Sequence, residues 1–245
     1  MKVFFISDQP RTMESFLKIV ERGFEDFDFD YYYSEGDSAS EEGFERLKEK
    51  GIKVSPIKLN EMDCAFFNQY SVFFSWHCRQ IFPEFLVNNY RCINLHPSFN
   101  PYNRGWYPQV FSLYNGLPAG VTIHEMDAAI DMGGVIFQKE VAKYSWDTSK
   151  ELHARITNAE TELVKEHLRD LLLGKYEKHA TDTGNINYKK DFVRLCRIDL
   201  NKRATYKEVI DYLRAFSFDG YDNAYFIDEE GNKVYIEVRL KKDEK

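Results

Sequence analysis

The 245-residue sequence lacks several patterns that would each point to a class of protein. Its four cysteines (64, 78, 92 and 196) form no Cys-x-x-Cys pair and show neither redox nor metal-ligand spacing, so buried free thiols are the default. No apolar run approaches the length that spans a membrane. The stretch 1–7 is too short for the apolar core of a signal peptide. We therefore expect a soluble, cytoplasmic protein.

An excess of positive charge is also lacking. The chain has 33 basic and 40 acidic residues, a formal net charge of -7. A protein that binds nucleic acid is expected to present a basic face, so tRNA and DNA are disfavoured as substrates. No Gly-x-Gly-x-x-Gly motif follows the first apolar run, where Asp8-Gln-Pro-Arg11 stands instead. A fold that binds a nicotinamide dinucleotide is therefore disfavoured.

Apolar residues are plentiful and alternate between strand and helix patterns. Hydrophobic residues make up 43% of the chain and aromatic residues 16%, enough for a core and for ring stacking on ligands. Apolar runs predict strands at 2–7, 27–33, 52–54, 71–76, 92–96 and 119–126, with a further apolar stretch at 134–142. Helical spacing predicts helices at 11–21, 41–49, 83–88, 107–115 and 148–173. The alternation favours a Rossmann-like α/β fold with three layers and a mostly parallel sheet.

Two stretches read as loops or linkers. Residues 34–43, rich in Ser, Gly and acid, predict a mobile loop, and residues 174–186 predict a linker. Beyond the linker we expect a helix at 206–216 and a hairpin of strands 224–227 and 233–238. The chain would then have a main domain at 1–180 and a small α+β hairpin domain at 181–245, too small to be stable alone. Apolar hairpin residues predict dimerisation through this tail: Ile227, Val234, Ile236 and Val238.

Candidate catalytic groups follow one of the predicted strands. Asn94 and His96 are two residues apart in 92–96, so they point to the same side, and Pro97 should end the strand there. Ligands bind at this carboxyl edge in open α/β sheets. Asp131 is followed by two glycines that permit a close backbone approach to a ligand. An amide donor, an imidazole and a carboxylate suit transfer of a carbonyl group to an amine.

Other interpretations of these residues stay open. Asn94 and His96 could be satisfied polar groups at a strand end. We expect His124 to be structural or to support a catalytic neighbour. His96, His124 and Asp131 could hold a metal by ligand type, although we predict none.

Three motifs, taken together, carry a family resemblance: Ile93-Asn-Leu-His-Pro-Ser98, Gly120-Val-Thr-Ile-His124 and Asp131-Met-Gly-Gly134. They resemble the folate-dependent formyltransferases, which include glycinamide ribonucleotide transformylase and methionyl-tRNA formyltransferase. The stretch 100–109 resembles the branch that formylates amino sugars on dTDP for bacterial surface polysaccharide such as the O-antigen of lipopolysaccharide. The resemblance implies the formyltransferase fold, 10-formyltetrahydrofolate as co-substrate, no metal, and Asn94, His96 and Asp131 as the catalytic residues.

The resemblance also implies binding residues. The pterin would lie in a slot formed largely by backbone groups of His77, Cys78, Arg79, Gln80, Ile81 and Phe82, together with Met126 and Asp127, although Ile81 and Phe82 could equally be core. The sugar nucleotide would contact Tyr102, Asn103, Arg104, Gly105, Trp106 and Gln109, and Tyr221 would stack on thymine. Trp106 could instead pack under the following helix. Asp8, Gln9 and Arg11 lie at a strand-to-helix turn, where they could meet phosphate oxygens or simply start the helix.

The predicted function is therefore N-formylation of a dTDP-amino-dideoxyhexose by a homodimer. The sequence does not choose between dTDP-4-amino-4,6-dideoxyglucose and the 3-amino-3,6-dideoxy isomer. The alternatives are a methionyl-tRNA formyltransferase-like enzyme, a hydrolase of formyltetrahydrofolate, and a sugar-nucleotide-binding protein without turnover.

Overall fold

The computed structural model describes residues 1–36, 38–127 and 133–243, with the backbone alone at 38–40. The strands are β1 (Lys2–Ile6), β2 (Asp28–Ser34), β3 (Val54–Ile57), β4 (Val72–Trp76), β5 (Cys92–His96), β6 (Arg104–Gly105), β7 (Gly120–Glu125), β8 (Val135–Glu140), β9 (Ile186–Asn187), β10 (Tyr225–Ile227) and β11 (Lys233–Tyr235). The helices are α1 (Pro10–Val20), α2 (Ser38–Glu49), α3 (Cys64–Phe67), α4 (Glu84–Asn89), α5 (Pro108–Asn115), α6 (Ser149–Leu173), α7 (Lys189–Cys196) and α8 (Tyr206–Phe216).

Seven strands form one sheet in the order β3-β2-β1-β4-β5-β7-β8. The neighbours from β3 to β5 are all parallel, whereas β5 pairs antiparallel with β7. The predicted α/β fold with a mostly parallel sheet is confirmed. The antiparallel pair places Asn94, a predicted catalytic residue, directly opposite His124.

Aromatic side chains cover both faces of β1. Phe4 stacks on Tyr32 with ring centroids 4.5 Å apart, while Phe5, pointing the other way, stacks on Phe16 at 3.7 Å. Central strands of a parallel sheet are buried on both faces, which is why β1 reads as a continuous apolar run. Much of the aromatic content therefore serves the core.

The chain folds as two compact units. The first contains residues 1–96, 122–137 and 161–181, and the second contains 97–121, 138–160 and 182–245. In the second unit, Phe192 of α7 lies between Tyr107, at 4.1 Å, and Phe216 of α8, at 5.4 Å. Strands β10 and β11 pair as the predicted hairpin. The C-terminal segment thus packs on residues before it in the chain, as its small size requires.

Several segments differ from the predictions, among them the short helix α3 and the two-residue strand β6, which were not predicted. Helix α2 begins at Ser38, so most of the predicted loop 34–43 is helical. Helix α7 was not predicted, and β9 forms at the end of the predicted linker, where it pairs in parallel with β6. Within the described part of the chain, no helix has the length and apolar character needed to cross a membrane.

Candidate active site

Asn94 and His96 lie on the last strand before Pro97. Strand β5 ends at His96, as the proline predicts, and the two side chains share one side of it. His96 is buried and Asn94 is partly buried. The strand end therefore presents an amide and an imidazole side by side, which is the arrangement expected from the sequence.

His124 orients the Asn94 amide. The amide nitrogen of Asn94 lies 3.4 Å from His124 Nε2, and His124 Nδ1 lies 2.9 Å from the carbonyl oxygen of Glu125. A carbonyl oxygen can only accept, so Nδ1 carries the ring proton and, in the neutral ring, Nε2 accepts a hydrogen bond from Asn94. This hydrogen bond identifies which end of the Asn94 side-chain amide is the nitrogen. His124 thus supports a predicted catalytic residue, one of the two roles expected for it.

Glu125, the last residue of β7, is held by two side chains. Its carboxylate accepts from the Tyr176 hydroxyl at 2.6 Å and from Lys178 Nζ at 2.6 Å. Burial and the neighbouring carboxylate raise the pKa of Tyr176, so the phenol stays a donor at neutral pH. The strand end that carries His124 is thereby anchored.

Gly133 is required by the backbone of β7. A Cβ atom there would lie 1.6 Å from the carbonyl oxygen of Glu125, the oxygen that accepts from His124. The glycine was predicted to allow approach to a ligand, but in the structure it allows the chain to pass close to β7. Asp131, the third predicted catalytic residue, lies outside the described residues.

The buried carboxylate of Asp8 connects the end of β2 to the loop that follows β4. It accepts from the Ser34 backbone N–H at 2.7 Å, the Ser34 hydroxyl at 2.9 Å and the Arg79 backbone N–H at 2.6 Å. Both oxygens of Asp8 are thus bonded to protein donors, whereas contact with phosphate was one of the two roles expected for it. Its oxygens face protein donors because a buried carboxylate must be satisfied.

Gln80 continues this network on the loop after β4. Its amide nitrogen donates to the Ser34 hydroxyl and to the Ile57 carbonyl, each at 2.9 Å, and its oxygen accepts from the Leu59 backbone N–H at 2.8 Å. His77 has a positive φ of 63°, a conformation that non-glycine residues adopt only where the surroundings enforce it. The loop 77–80 is therefore fixed by side chains at the ends of neighbouring strands.

The other predicted pterin residues fall into two groups. Ile81 is 80% exposed, whereas Phe82 is a core residue packed with Leu86 and Cys92. The structure thus favours the core interpretation for Phe82. Burial and the nearby Asp8 carboxylate raise the pKa of the Cys78 thiol to about 12, so this thiol is not a nucleophile near neutral pH. Met126 packs partly against the same core, and Asp127 is exposed.

The predicted sugar-nucleotide residues also differ in their surroundings. Asn103 is completely buried and its amide contacts Ser112, Asn115, Asn185 and Asn187. The structure therefore gives Asn103 a structural role, because protein groups occupy both ends of its amide. Arg104 is also buried.

The remaining predicted contacts are more accessible. Trp106 is 39% exposed and Tyr221 is 66% exposed. Tyr102, Gly105 and Gln109 are partly buried. At the first turn, Gln9 accepts from the Thr12 hydroxyl at 3.3 Å, and Arg11 is exposed.

Several supporting residues were not predicted. Ser34, Tyr176, Lys178, Asn185 and Asn187 hold the segments described above. Ser34 could have been identified from the sequence, because it is a polar residue at the end of a predicted strand. The alternation in Asn185-Ile-Asn187 was a weaker signal, because two residues do not establish a strand.

Comparison with known proteins gives consistent results. Residues 3–168 match the family model described as formyl transferase, and residues 191–242 match that of the N-formyltransferase dimerization C-terminal domain. The dTDP-4-amino-4,6-dideoxyglucose formyltransferase of Mycobacterium tuberculosis is 47% identical over 173 residues, 70% of this chain and 74% of that protein.

Solved structures agree over the whole length. A 4-N formyltransferase from Francisella tularensis is 39% identical, with a TM-score of 0.92 over 99% of this chain and 98% of its own. A sugar N-formyltransferase from a Shewanella species is 38% identical, with a TM-score of 0.93 over 100% and 99% of the two chains. The predicted resemblance is confirmed: the chain belongs to the formyl transferase family.

Proposed function

We propose that this protein transfers the formyl group of 10-formyltetrahydrofolate to the amine of a dTDP-4-amino-4,6-dideoxyhexose. The main observation that supports this proposal is the pair Asn94 and His96 at the end of β5, with the Asn94 amide oriented by His124. In addition, the chain is 47% identical to a dTDP-4-amino-4,6-dideoxyglucose formyltransferase. The Francisella relative is described as a 4-N enzyme, which favours carbon 4 over carbon 3.

Asn94 acts as the oxyanion donor in this proposal. Negative charge develops on the formyl oxygen as the amine adds to the formyl carbon, and a preoriented N–H lowers the energy of that state. An amide carries two N–H donors, and the bond to His124 uses one of them. Because His124 accepts from the nitrogen, the Asn94 amide is held in one orientation.

His96 moves the protons. The attacking amine must lose a proton and the departing folate nitrogen must gain one, so a single imidazole can accept the first and return it. Asp131 is proposed to raise the pKa of His96, since a carboxylate beside an imidazole favours its charged form. A protonated His96 would also stabilise the charge on the formyl oxygen.

The segment 77–82 and the residues Met126 and Asp127 are proposed to hold the folate. The bound folate supplies the activated formyl carbon. The exposed Ile81 fits this role, because an apolar side chain surrounded by water is stabilised when a planar ring covers it. The fixed loop 77–80 would present its backbone donors and acceptors without first having to be ordered.

The sugar nucleotide is proposed to contact Tyr102, Arg104, Gly105, Trp106 and Gln109, with Gln9 and Arg11 near its phosphates and Tyr221 on its thymine ring. The exposed rings of Trp106 and Tyr221 support this assignment, since exposed aromatic side chains stack readily on planar ligands.

The experiment is to incubate the protein with 10-formyltetrahydrofolate and a panel of dTDP-linked 3-amino and 4-amino hexoses. We expect one formyl mass to be gained on a 4-amino hexose. Gain only on a 3-amino hexose would overturn the position of the amine. Formate release without any amine would support the hydrolase, and formylation of methionyl-tRNA alone would support the tRNA enzyme. Sugar binding without product in any reaction would indicate a binding protein.

The C-terminal segment 181–245 is proposed to form a homodimer and, through Tyr221, to contribute to nucleotide binding, beside a catalytic domain at 1–180. Residues 191–242 match a dimerization domain. Exposed apolar side chains of the second unit would be covered by a second copy: Val193, Leu200, Tyr206, Val209, Ile210, Val234 and Tyr235. Sedimentation of a monomer at micromolar concentration would contradict this. A cytoplasmic location and a role in O-antigen or lipopolysaccharide synthesis remain predictions from the resemblance.

A further inference from the structure

The Asn103 amide is the centre of a buried cluster of asparagines. Its Oδ1 accepts from the side-chain nitrogens of Asn115 at 2.7 Å, Asn185 at 2.8 Å and Asn187 at 3.2 Å. Its nitrogen donates to the Ser112 hydroxyl at 3.0 Å and to Asn115 Oδ1 at 3.3 Å. An aspartate could not donate these bonds and an apolar residue could not accept them, so the cluster needs a carboxamide here.

The backbone at Asn103 and at Tyr107 is in an unusual conformation. Asn103 has φ 51° and Tyr107 has φ 53°, both in the left-handed region. Residues other than glycine keep such angles only where surrounding contacts over-determine them, and they are concentrated at ligand-binding segments. The segment 103–107 is therefore held in a shape that it would not adopt alone.

The segment 103–107 is held by contacts from residues 185–187, which we name the asparagine strap. Asn103 N–H donates to Asn185 Oδ1 at 2.9 Å, Arg104 N–H to the Asn185 carbonyl at 3.1 Å, and Trp106 N–H to the Asn187 carbonyl at 2.9 Å. A Cβ atom on Gly105 would lie only 2.4 Å from that same Asn187 carbonyl oxygen. The strap thus binds the backbone of residues 103, 104 and 106 and leaves no room for a side chain on Gly105.

We propose that Asn103 and the asparagine strap are the positioning element for sugar-nucleotide binding. They fix the segment 104–107 so that Trp106 is presented in one orientation before the ligand arrives. This inference rests on the proposed function, because it takes residues 104–109 as the contact for the dTDP-sugar. Asn103 is a positioning residue, since its amide is buried against protein groups.

The principal test is Asn187→Ala, which removes one donor to Asn103 but keeps the backbone of β9. We expect the KM for the dTDP-amino sugar to rise by about tenfold or more, with the KM for 10-formyltetrahydrofolate changed by less than about twofold. The dissociation constant of dTDP alone, measured by calorimetry, should rise in parallel. Thr205→Ala, which removes the cap of α8, is a control for lost stability and should leave all three constants unchanged.

A matched pair of glycine variants tests the close approach. Gly105 and Gly231 have nearly the same φ, 85° and 87°, but a Cβ atom would meet Asn187 only at Gly105 and would meet nothing within 4 Å at Gly231. Gly105→Ala should raise the dissociation constant of dTDP by about tenfold or more, and Gly231→Ala should not. If both variants bind dTDP equally, the fixed shape of 104–107 is not what binding requires.

Two further outcomes separate this inference from the proposed function. If the wild-type protein formylates no dTDP-amino sugar, the proposed function fails. If it does, and folded Asn187→Ala keeps both KM values within about twofold of wild type, the positioning role is overturned. A parallel rise of both KM values would also overturn it, because that pattern indicates general loss of structure.

Discussion

The ring of His124 decides which way the Asn94 amide faces, because its Nε2 lone pair accepts from the amide nitrogen. In His124→Leu this acceptor is lost, and we expect kcat to fall on the order of 100-fold through misplacement of the oxyanion donor. His124→Gln keeps an acceptor on its side chain and should recover part of the loss. Steady-state kinetics with formyl-folate and the amino sugar measure both. Equal kcat in the two variants would contradict the orienting role.

Asp8 holds the loop 77–80 through its bond to the Arg79 backbone N–H. In Asp8→Asn, one carboxylate oxygen is replaced by a donor that faces other donors, so the loop should loosen. We expect the KM for 10-formyltetrahydrofolate to rise by about tenfold, with the KM for the sugar unchanged. Asp63→Asn is the matched control, since Asp63 also accepts a backbone N–H, from Phe66 at the start of α3. A rise of the folate KM in both variants would argue against a specific role for Asp8.

The Cys78 thiol should make folding sensitive to alkali. Its pKa in the folded protein is raised from the usual 9.0 to about 12, mainly by burial. The neutral thiol therefore stabilises the fold fully below pH 9, and this contribution is lost as pH rises toward 12, because the unfolded chain releases its proton first. Denaturant unfolding between these pH values should show a shallower loss of stability in Cys78→Ala than in wild type. Identical slopes would show that Cys78 does not contribute.

Helix α5 depends on a lysine that caps its C-terminal end. Lys143 Nζ donates to the carbonyls of Ser112 at 3.0 Å, Gly116 at 2.7 Å and Leu117. A cation at this end of a helix satisfies carbonyls that have no partner within the helix. Lys143→Met should lower the free energy of unfolding by about 1–3 kcal/mol. Lys207→Met, which removes an exposed ion pair to Asp211, should change it by less than about 1 kcal/mol. Urea unfolding of both variants is the measurement.

The strands were more predictable than the contacts between them. The apolar run 92–96 and Pro97 predicted β5 to the residue, and the period of two placed Asn94 and His96 on one side. Helix α7 was missed because it has only eight residues, half of them charged, which is too short for a clear apolar period; packing of Phe192 on Phe216 supports it.

The supporting contacts of the site depend on distant pairings. His124 faces Asn94 only through the antiparallel register of β5 and β7, which joins two residues that are 30 positions apart in the sequence. The strap 185–187 is still farther in sequence from Asn103, since Asn185 and Asn187 lie 82 and 84 residues away. A motif therefore identifies the residues that perform the chemistry but does not identify those that hold them in place.

The thermal stability of the protein should increase with its concentration. If a second copy covers the apolar residues of the second unit, association stabilises the folded state by mass action and the Tm rises with protein concentration. Ile210→Lys, placed on the exposed face of α8, should remove this dependence. Leu173→Lys changes an exposed apolar residue of the first unit and should keep it. Calorimetry over a hundredfold concentration range, about 1 to 100 μM, checks both. A wild-type Tm independent of concentration would rule out the dimer.

The antiparallel pairing of β5 with β7 has a consequence for substitutions around the site. The ladder between these strands fixes Asn94 against His124 whatever the length or composition of the chain that joins them, residues 97–119. We expect substitutions in that connection to alter its proposed contacts with the amine acceptor while the Asn94–His124 pair stays intact. A one-residue shift in the register of β5 and β7, by contrast, would move His124 away from Asn94 and point its side chain to the other face of the sheet.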